Sequence, residues 1–195
     1  MGKLNKFFSD AKKSIEKLYL GDKKYIQMRL LVEDITEEYE NKLKEKIDHS
    51  ILHADIREAH EKDIDSIIIL HDKAWHSTPM PYRIPSKEKL TEMVNNTDVV
   101  FLIAKVNAVD SGFIISYLTG NKKEIGVIAG LGILPELQRK GLGTILGLAA
   151  WNHFKQKGIK ELRCKVYLNN TISYSFIKGL GFKEYGDDLA TWKFF

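Results

Sequence analysis

A single cysteine, four prolines, no long apolar run and no basic tract set the first limits on this 195-residue chain. With only Cys164, an intramolecular disulfide and a cysteine-rich zinc site are both excluded. Cys164 lies in the alternating run Leu162-Arg163-Cys164-Lys165-Val166, which reads as a small core thiol and not as a nucleophile. No stretch approaches the ~20 apolar residues a membrane span needs. The N-terminus has no unbroken apolar segment followed by a small-residue cleavage site, so no secretory signal is expected. The net charge of +4 is mild, and the lysines are dispersed without interleaved aromatics, which argues against a nucleic-acid partner. These absences point to the cytoplasm.

What is present suits a folded soluble protein. Apolar residues make up 44% and charged residues 29% of the chain. A chain of this length buries roughly 70% of its unfolded surface and needs no covalent staple. There is no internal repeat and no low-complexity tract. Two blocks of different character meet near residue 50. In the first, Leu4, Phe7, Phe8, Ala11, Ile15, Leu18 and Tyr19 recur at helical spacing, and Gly21 ends the pattern. A second series, Met28, Val32, Ile35, Tyr39, Leu43 and Ile47, also reads as helix. Asp34 with Glu37 could form a capping box and divide it into two pieces. Residues 1–50 are thus expected to be a helical N-terminal extension. Residues 1–30 are basic and residues 31–50 acidic, which suits antiparallel packing of the two helices. The apolar stripe would pack on its own domain or build a homodimer interface.

From residue 51 onward strand and helix patterns alternate. Ile51 to Ile56 reads as a strand, Glu58 to Trp75 as a helix, and His76 to Pro85 as a loop holding three of the four prolines. Ser86 caps the next helix. Val99 to Val106 and Gly112 to Leu118 form a hairpin signal, and Glu124 to Leu134 is a third β-branched run. Gly141 to Lys157 reads as a helix, Ile159 to Leu168 as a strand and Thr171 to Leu180 as a helix. A terminal strand ends in Trp192-Lys193-Phe194-Phe195. Hairpins first and β-α-β units second predict an α/β protein with a mixed sheet and helices on both faces.

The chemistry is concentrated in Leu131-Gly132-Ile133-Leu134-Pro135-Glu136-Leu137-Gln138-Arg139-Lys140-Gly141-Leu142-Gly143-Thr144. A strand stops at a proline, a short link carries two cations, and two glycines open a helix. The first amides of a helix have no acceptor within it, and the dipole favours negative charge there. Gly141 and Gly143 remove Cβ atoms that would hold a phosphate off the backbone. A diphosphate is the natural guest. A P-loop would need a lysine directly before Thr144. A dinucleotide fingerprint would need Gly-x-Gly-x-x-Gly, but Gly141, Gly143 and Gly147 are one residue too wide, and Glu161 would start its strand, the wrong end for a ribose contact.

Gln138-x-x-Gly141-x-Gly143 after a strand ending Ile133-Leu134-Pro135 resembles the pyrophosphate loop of GNAT acetyltransferases. Asn170-x-x-Ser173-x-x-Phe176-x-x-x-x-Gly181-Phe182, some 30 residues downstream, is similar to a later motif of the same family. The resemblance covers about residues 53–195. It implies a mostly antiparallel GNAT-type sheet and acetyl-coenzyme A as cosubstrate, with no metal. The cosubstrate would lie against Ile133, Leu134, Gln138, Arg139, Lys140, Gly141, Leu142, Gly143, Thr144, Asn170 and Ser173. Asn170 would reach the pantetheine arm or order the strand before it; a plain helix N-cap is the other reading.

By the same resemblance the thioester would lie between splayed strands Val127–Leu134 and Ile159–Leu168, its carbonyl polarised by a backbone N–H near Gly132 or Ile133. An amine would attack directly. Glu124 is the nearest carboxylate to serve as base, with His71, His76 and Glu136 behind it. The tyrosine that in the family protonates the departing thiolate falls at position 177, where this chain has Ile177. Tyr174, one turn earlier, and Tyr167 are the substitutes. The acceptor, a small-molecule or protein amine, would meet Trp75 to Arg83. An N-acetyltransferase is the reading that results. A non-catalytic coenzyme A sensor is the alternative that Ile177 leaves open.

Overall fold

The computed structural model describes residues 25–48, 52–79 and 85–186. The helix expected over Leu4–Tyr19 with its homodimer role, the loop residues Met80–Arg83 and the strand ending in Trp192–Phe195 lie outside the described residues. Among the described residues seven strands form one sheet in the order β2-β3-β4-β5-β6-β1-β7. They are β1 (Tyr25–Leu31), β2 (Asp55–Glu58), β3 (Val99–Val106), β4 (Val109–Thr119), β5 (Ile125–Ile133), β6 (Glu161–Tyr167) and β7 (Lys183–Glu184). Neighbours are antiparallel except β5 and β6, which run parallel. The helices are α1 (Glu37–Asp48), α2 (Ile64–His76), α3 (Lys87–Val94), α4 (Leu142–Lys155) and α5 (Thr171–Gly179).

The central strands are apolar at nearly every position because both faces of the sheet are covered. Along β3, Val100, Leu102 and Ala104 join α4 and α5 in one core, while Phe101 and Ile103 join α2 and α3 in the other. The β3–β4 turn has Asn107 at φ 51° and Ala108 at φ 65°, the doubly left-handed backbone that suits a two-residue hairpin.

The main correction concerns residues 25–48. The series from Met28 is not one helix: Tyr25–Leu31 is a strand paired along its length with β6. Ile26, Met28 and Leu30 alternate with Gln27 and Arg29, and this period of two places Met28 and Leu30, 0% and 5% exposed, in the α4/α5 core. The helix begins only after Thr36, whose Oγ1 accepts from the Tyr39 amide at 3.2 Å. The sheet therefore crosses the boundary expected at residue 50. Helix α1 is tied to α4 and α5 by side chains. Trp151 Nε1 and Lys155 Nζ both donate to Glu40 Oε1, at 3.0 and 2.6 Å. Tyr39 Oη donates to the Leu180 carbonyl at 2.7 Å. The Lys155 bond foremost, with Trp151 behind it, holds the Glu40 carboxyl below its usual range.

Helix α2 also starts later than expected, at Ile64. Glu58 still belongs to β2, and Asp63 turns the chain by accepting the His60 amide at 2.9 Å and both arms of Arg57 at 2.6 and 2.9 Å. On α2, His71 is 1% exposed, stacked on Trp75 at 4.6 Å and on Phe113 at 5.7 Å. Loss of water pushes its pKa down to about 4, offset only in part by Asp72. The folded protein therefore resists protonating His71, whereas the unfolded chain accepts that proton near pH 6.5. Its contribution is complete above about pH 6.5 and is lost as pH falls toward 4, a difference of roughly 3 kcal/mol. Urea unfolding at pH 7 and pH 4.5 is expected to show wild type losing about 2–3 kcal/mol more than His71→Phe between the two conditions. Equal losses would place the acid sensitivity elsewhere.

Candidate active site

The parallel ladder between β5 and β6 runs only from Ile125↔Glu161 to Ile128↔Cys164. β5 continues to Ile133 and β6 to Tyr167, so beyond that rung the strands part. A bulge sits at the same place: Ile115 faces Gly130 and Ser116 faces Ile128, leaving Ala129 unopposed. An extra residue bends and twists its strand, and here it turns β5 away from β6. The open stretch of β5 holds Gly130 and Gly132. A Cβ on Gly132 would come within 2.5 Å of the Phe113 ring and 3.1 Å of Ala74, so glycine is required for the α2 face to close there.

The glycine loop stands at the mouth of this opening. After the turn Pro135–Leu137, Arg139 takes a left-handed φ of 61° and Gly141 one of 91°, with Gly141 as N-cap of α4. Backbone of this kind curls successive amides toward one concavity that suits an anion. Leu142 and Gly143 hold the first two positions of α4, where the amides have no acceptor within the helix. No acidic side chain occupies the first turn of α4, so its positive end is left for an external charge. Arg139 and Lys140 are exposed beside it. The residues present fit a diphosphate.

Two side-chain links hold the loop. Gln138 Nε2 donates to the Ile133 carbonyl at 3.1 Å and to Ser77 Oγ at 3.0 Å, and Ser77 Oγ donates to the Ala74 carbonyl at 2.7 Å. The Leu134 amide donates to Ser111 O at 2.9 Å. Gln138 is thus a strut from the loop to the end of β5 and to α2, and Ser77 is its partner. Gly143 differs in reason from the expectation. The space its missing Cβ leaves is met by the ring of Phe176, 3.0 Å from where a Cβ would stand. The glycine lets α5 approach the start of α4. Asn170 caps α5, a role compatible with a contact to the pantetheine arm: its Oδ1 accepts the Ser173 amide at 3.0 Å, and the residue is 4% exposed. Asn170 and Ser173 therefore open α5 where β6 ends.

The proposed proton carriers fare differently. Glu124 precedes the first residue of β5 and accepts the Lys122 amide at 2.7 Å, closing the turn at Gly120. The bonds to its own amide and to that of Lys122 hold its carboxyl below the usual range. Eight residues of strand separate it from Gly132, about 26 Å at ~3.3 Å each. It is a turn residue, not a base for this site. Tyr174 donates to Glu184 on β7, which raises its pKa first through that bond. Strand β7 lies two strands beyond β6, about 10 Å further from the opening. The Tyr174 hydroxyl is thus engaged with β7, on the side of β6 away from β5. Ile177 is buried in the α4/α5 core. Tyr167 ends β6 and packs edge-on against Tyr25 at 5.7 Å. His76 and Glu136 are exposed. Cys164, on the last β5–β6 rung, is buried, and the loss of water raises its pKa far above neutrality, as expected of a core thiol. Among the described residues no three His, Cys, Asp or Glu side chains gather as a metal site, and no helix is long and apolar enough to cross a membrane.

A mixed sheet split between two parallel strands, with an amide cradle at the mouth of the split, has the shape and donors to suit a phosphorylated, extended ligand in the plane of the sheet. Residues 67–182, more than half of the chain, match the acetyltransferase (GNAT) family, and the chain belongs to it. It is 36% identical over 102 residues to spermidine N(1)-acetyltransferase of Thermoplasma acidophilum, which spans 50% of this chain and 62% of that protein. It is 31% identical over 71 residues to mycothiol acetyltransferase of Kocuria rhizophila, over 36% of this chain and 23% of the relative. The chain thus spans less than two thirds of these curated relatives. Among solved structures it resembles the PaiA N-acetyltransferase of Thermoplasma acidophilum in complex with coenzyme A. That likeness has a TM-score of 0.63 and 27% identity, and covers 70% of this chain and 94% of that one.

Two substitutions separate the roles assigned here. Gly141→Ala forces a side chain into φ 91°, costing about 1–2 kcal/mol; calorimetry is expected to show coenzyme A affinity lowered at least tenfold. Tyr174→Phe is expected to leave the rate of thiol release within about twofold of wild type in a steady-state assay. A hundredfold loss would return that hydroxyl to the chemistry.

Proposed function

We propose that this protein is an acetyl-coenzyme A-dependent N-acetyltransferase acting on a primary amine. The amide cradle at Gln138–Thr144, set at the mouth of the opening between β5 and β6, is the observation that carries the reading. In this reading the diphosphate is held by the amides of Leu142 and Gly143 with Arg139 and Lys140 alongside. The pantetheine arm lies between the parted strands. A β5 amide in the stretch 129–133 donates to the thioester carbonyl, and the donor is already in place before charge develops there. The neutral amine nitrogen attacks the carbonyl carbon, the C–S bond breaks, the sulfur leaves as thiolate, and the proton lost from the nitrogen passes to solvent.

The acceptor is read as a small amine, of the kind named for the Thermoplasma acidophilum relative. The α2 end, with Trp75 and Ser77, forms its side of the site. No residue of β5 from Ile125 to Ile133 can ionise. His71, with a pKa of about 4, is a poor acceptor for an ammonium proton. The amine therefore reaches the thioester in its neutral form, drawn from the small fraction free in solution.

A thiol-release assay with spermidine, a simple alkylamine and a peptide with a free N-terminus tests this. Turnover with at least one amine is expected, and kcat/KM should climb about tenfold per pH unit from 7 to 9. A plateau above pH 7 would reveal a protein base. Tight coenzyme A binding without turnover on any amine would favour a sensor.

A further inference from the structure

Beyond Cys164, strand β6 has no ladder to β5, yet Lys165 to Tyr167 remain extended. Their partner is β1: Gln27 faces Lys165, Ile26 faces Val166 and Tyr25 faces Tyr167. The phase of β1 is fixed by two bonds. The Tyr185 amide donates to Gln27 O at 3.1 Å, so the polar groups of Gln27 face β7. The Val32 amide donates to Lys160 O at 2.9 Å, so the even-numbered residues face β6. Ile26 therefore pairs through its backbone with Val166 at the level of the opening. Leu30 does so with Leu162 lower down, where Leu162 is also paired with Gly126 of β5. A strand segment without partners on either edge leaves a row of unmet donors and acceptors, and closing onto β5 would be its nearest relief. β1 is itself anchored by buried Met28 and Leu30, and α1 behind it by Tyr39 and Glu40. Strand β1 and helix α1 both lie outside residues 67–182.

We propose that β1 is a positioning strand for the coenzyme site: its pairing with Lys165–Tyr167 holds β6 apart from β5 and keeps the opening formed before the thioester arrives. The inference rests on the reading that this opening seats acetyl-coenzyme A. Ile26→Pro and Leu30→Pro each remove one β1 donor toward β6, the first beside the opening and the second below it. Both are expected to lower Tm, Leu30→Pro the more because it also removes a buried core side chain. KM for acetyl-coenzyme A, and Kd by calorimetry, should rise at least tenfold in Ile26→Pro and less than about threefold in Leu30→Pro. Equal shifts in the two variants, or none in Ile26→Pro, would overturn the role of β1 while leaving the function standing. A wild-type protein that binds no coenzyme would overturn both. Should either variant not fold, hydrogen exchange on ligand-free wild type decides. The Val166 amide should be protected as strongly as that of Leu162, and protection appearing only after coenzyme is added would refute a preformed opening.

Discussion

Between Ala129 and Ile133 one edge of β5 is deprived of ladder partners, and the surrounding structure is arranged around that deprivation. A buried peptide group left unpaired costs about 1–3 kcal/mol, so strands part inside a sheet only when something compensates. The bulge at Ala129 supplies the bend, and packing on each face then fixes where the space can lie. On the α2 side, Phe113 and Ala74 stand against Gly132. On the α4 side, Ile133 and Leu146 crowd Gly112 so closely that a Cβ there would meet them at 2.8 and 3.2 Å. With both faces filled, the free space lies within the plane of the sheet. A ligand with amide groups of its own can enter as a strand would, meeting the orphaned edge with backbone-like hydrogen bonds.

The glycine loop and the α5 motif act on this space together. Gly143 and Phe176 touch, so the start of α4, which presents the amides, is set by the helix that follows β6. Gln138 links the same loop to the last carbonyl of β5 and, through Ser77, to the end of α2. The cradle is thus fixed from three directions, and none of its contacts uses the amides a diphosphate would take. Anion binding is strong when donors need not reorganise, and the charge-free first turn of α4 leaves the dipole uncancelled.

Much of this was legible in the residues. The β3–β4 hairpin, β5, β6 and helices α2 to α5 follow from apolar periodicity and turn chemistry, and the cradle from glycine spacing after a strand. β1 is masked in the sequence because Met28, Val32 and Ile35 fall at helical spacing, while the competing alternation of Ile26, Met28 and Leu30 is only three residues long. Tertiary pairing with β6 decides between them, and Met28 and its partner Cys164 are 136 residues apart. The partners of Glu124 and Tyr174 are hidden from the sequence for a related reason. Distance along a chain does not say which end of a strand or which side of a helix a side chain occupies. One closes a turn at the far end of β5, and the other turns to β7. The contacts of Gly132 with Phe113 and of Gln138 with Ser77 left no periodic trace at all.

The proton balance then bears on the choice of acceptor. Freeing an alkylamine of pKa ~10.4 at pH 7 costs roughly 4–5 kcal/mol, while a thiolate of pKa ~8.5 leaving unprotonated forgoes only about 2. In the proposed reaction the heavier demand falls on the amine, and the buried stack of Trp75, His71 and Phe113 behind Gly132 supplies no strong base to meet it. Such a site works best on amines that are partly neutral on arrival. A second ammonium nearby in the same acceptor lowers an amine's pKa by charge repulsion. Each unit of lowering recovers about 1.4 kcal/mol of the barrier, an advantage for acceptors with several amines over a lone lysine side chain.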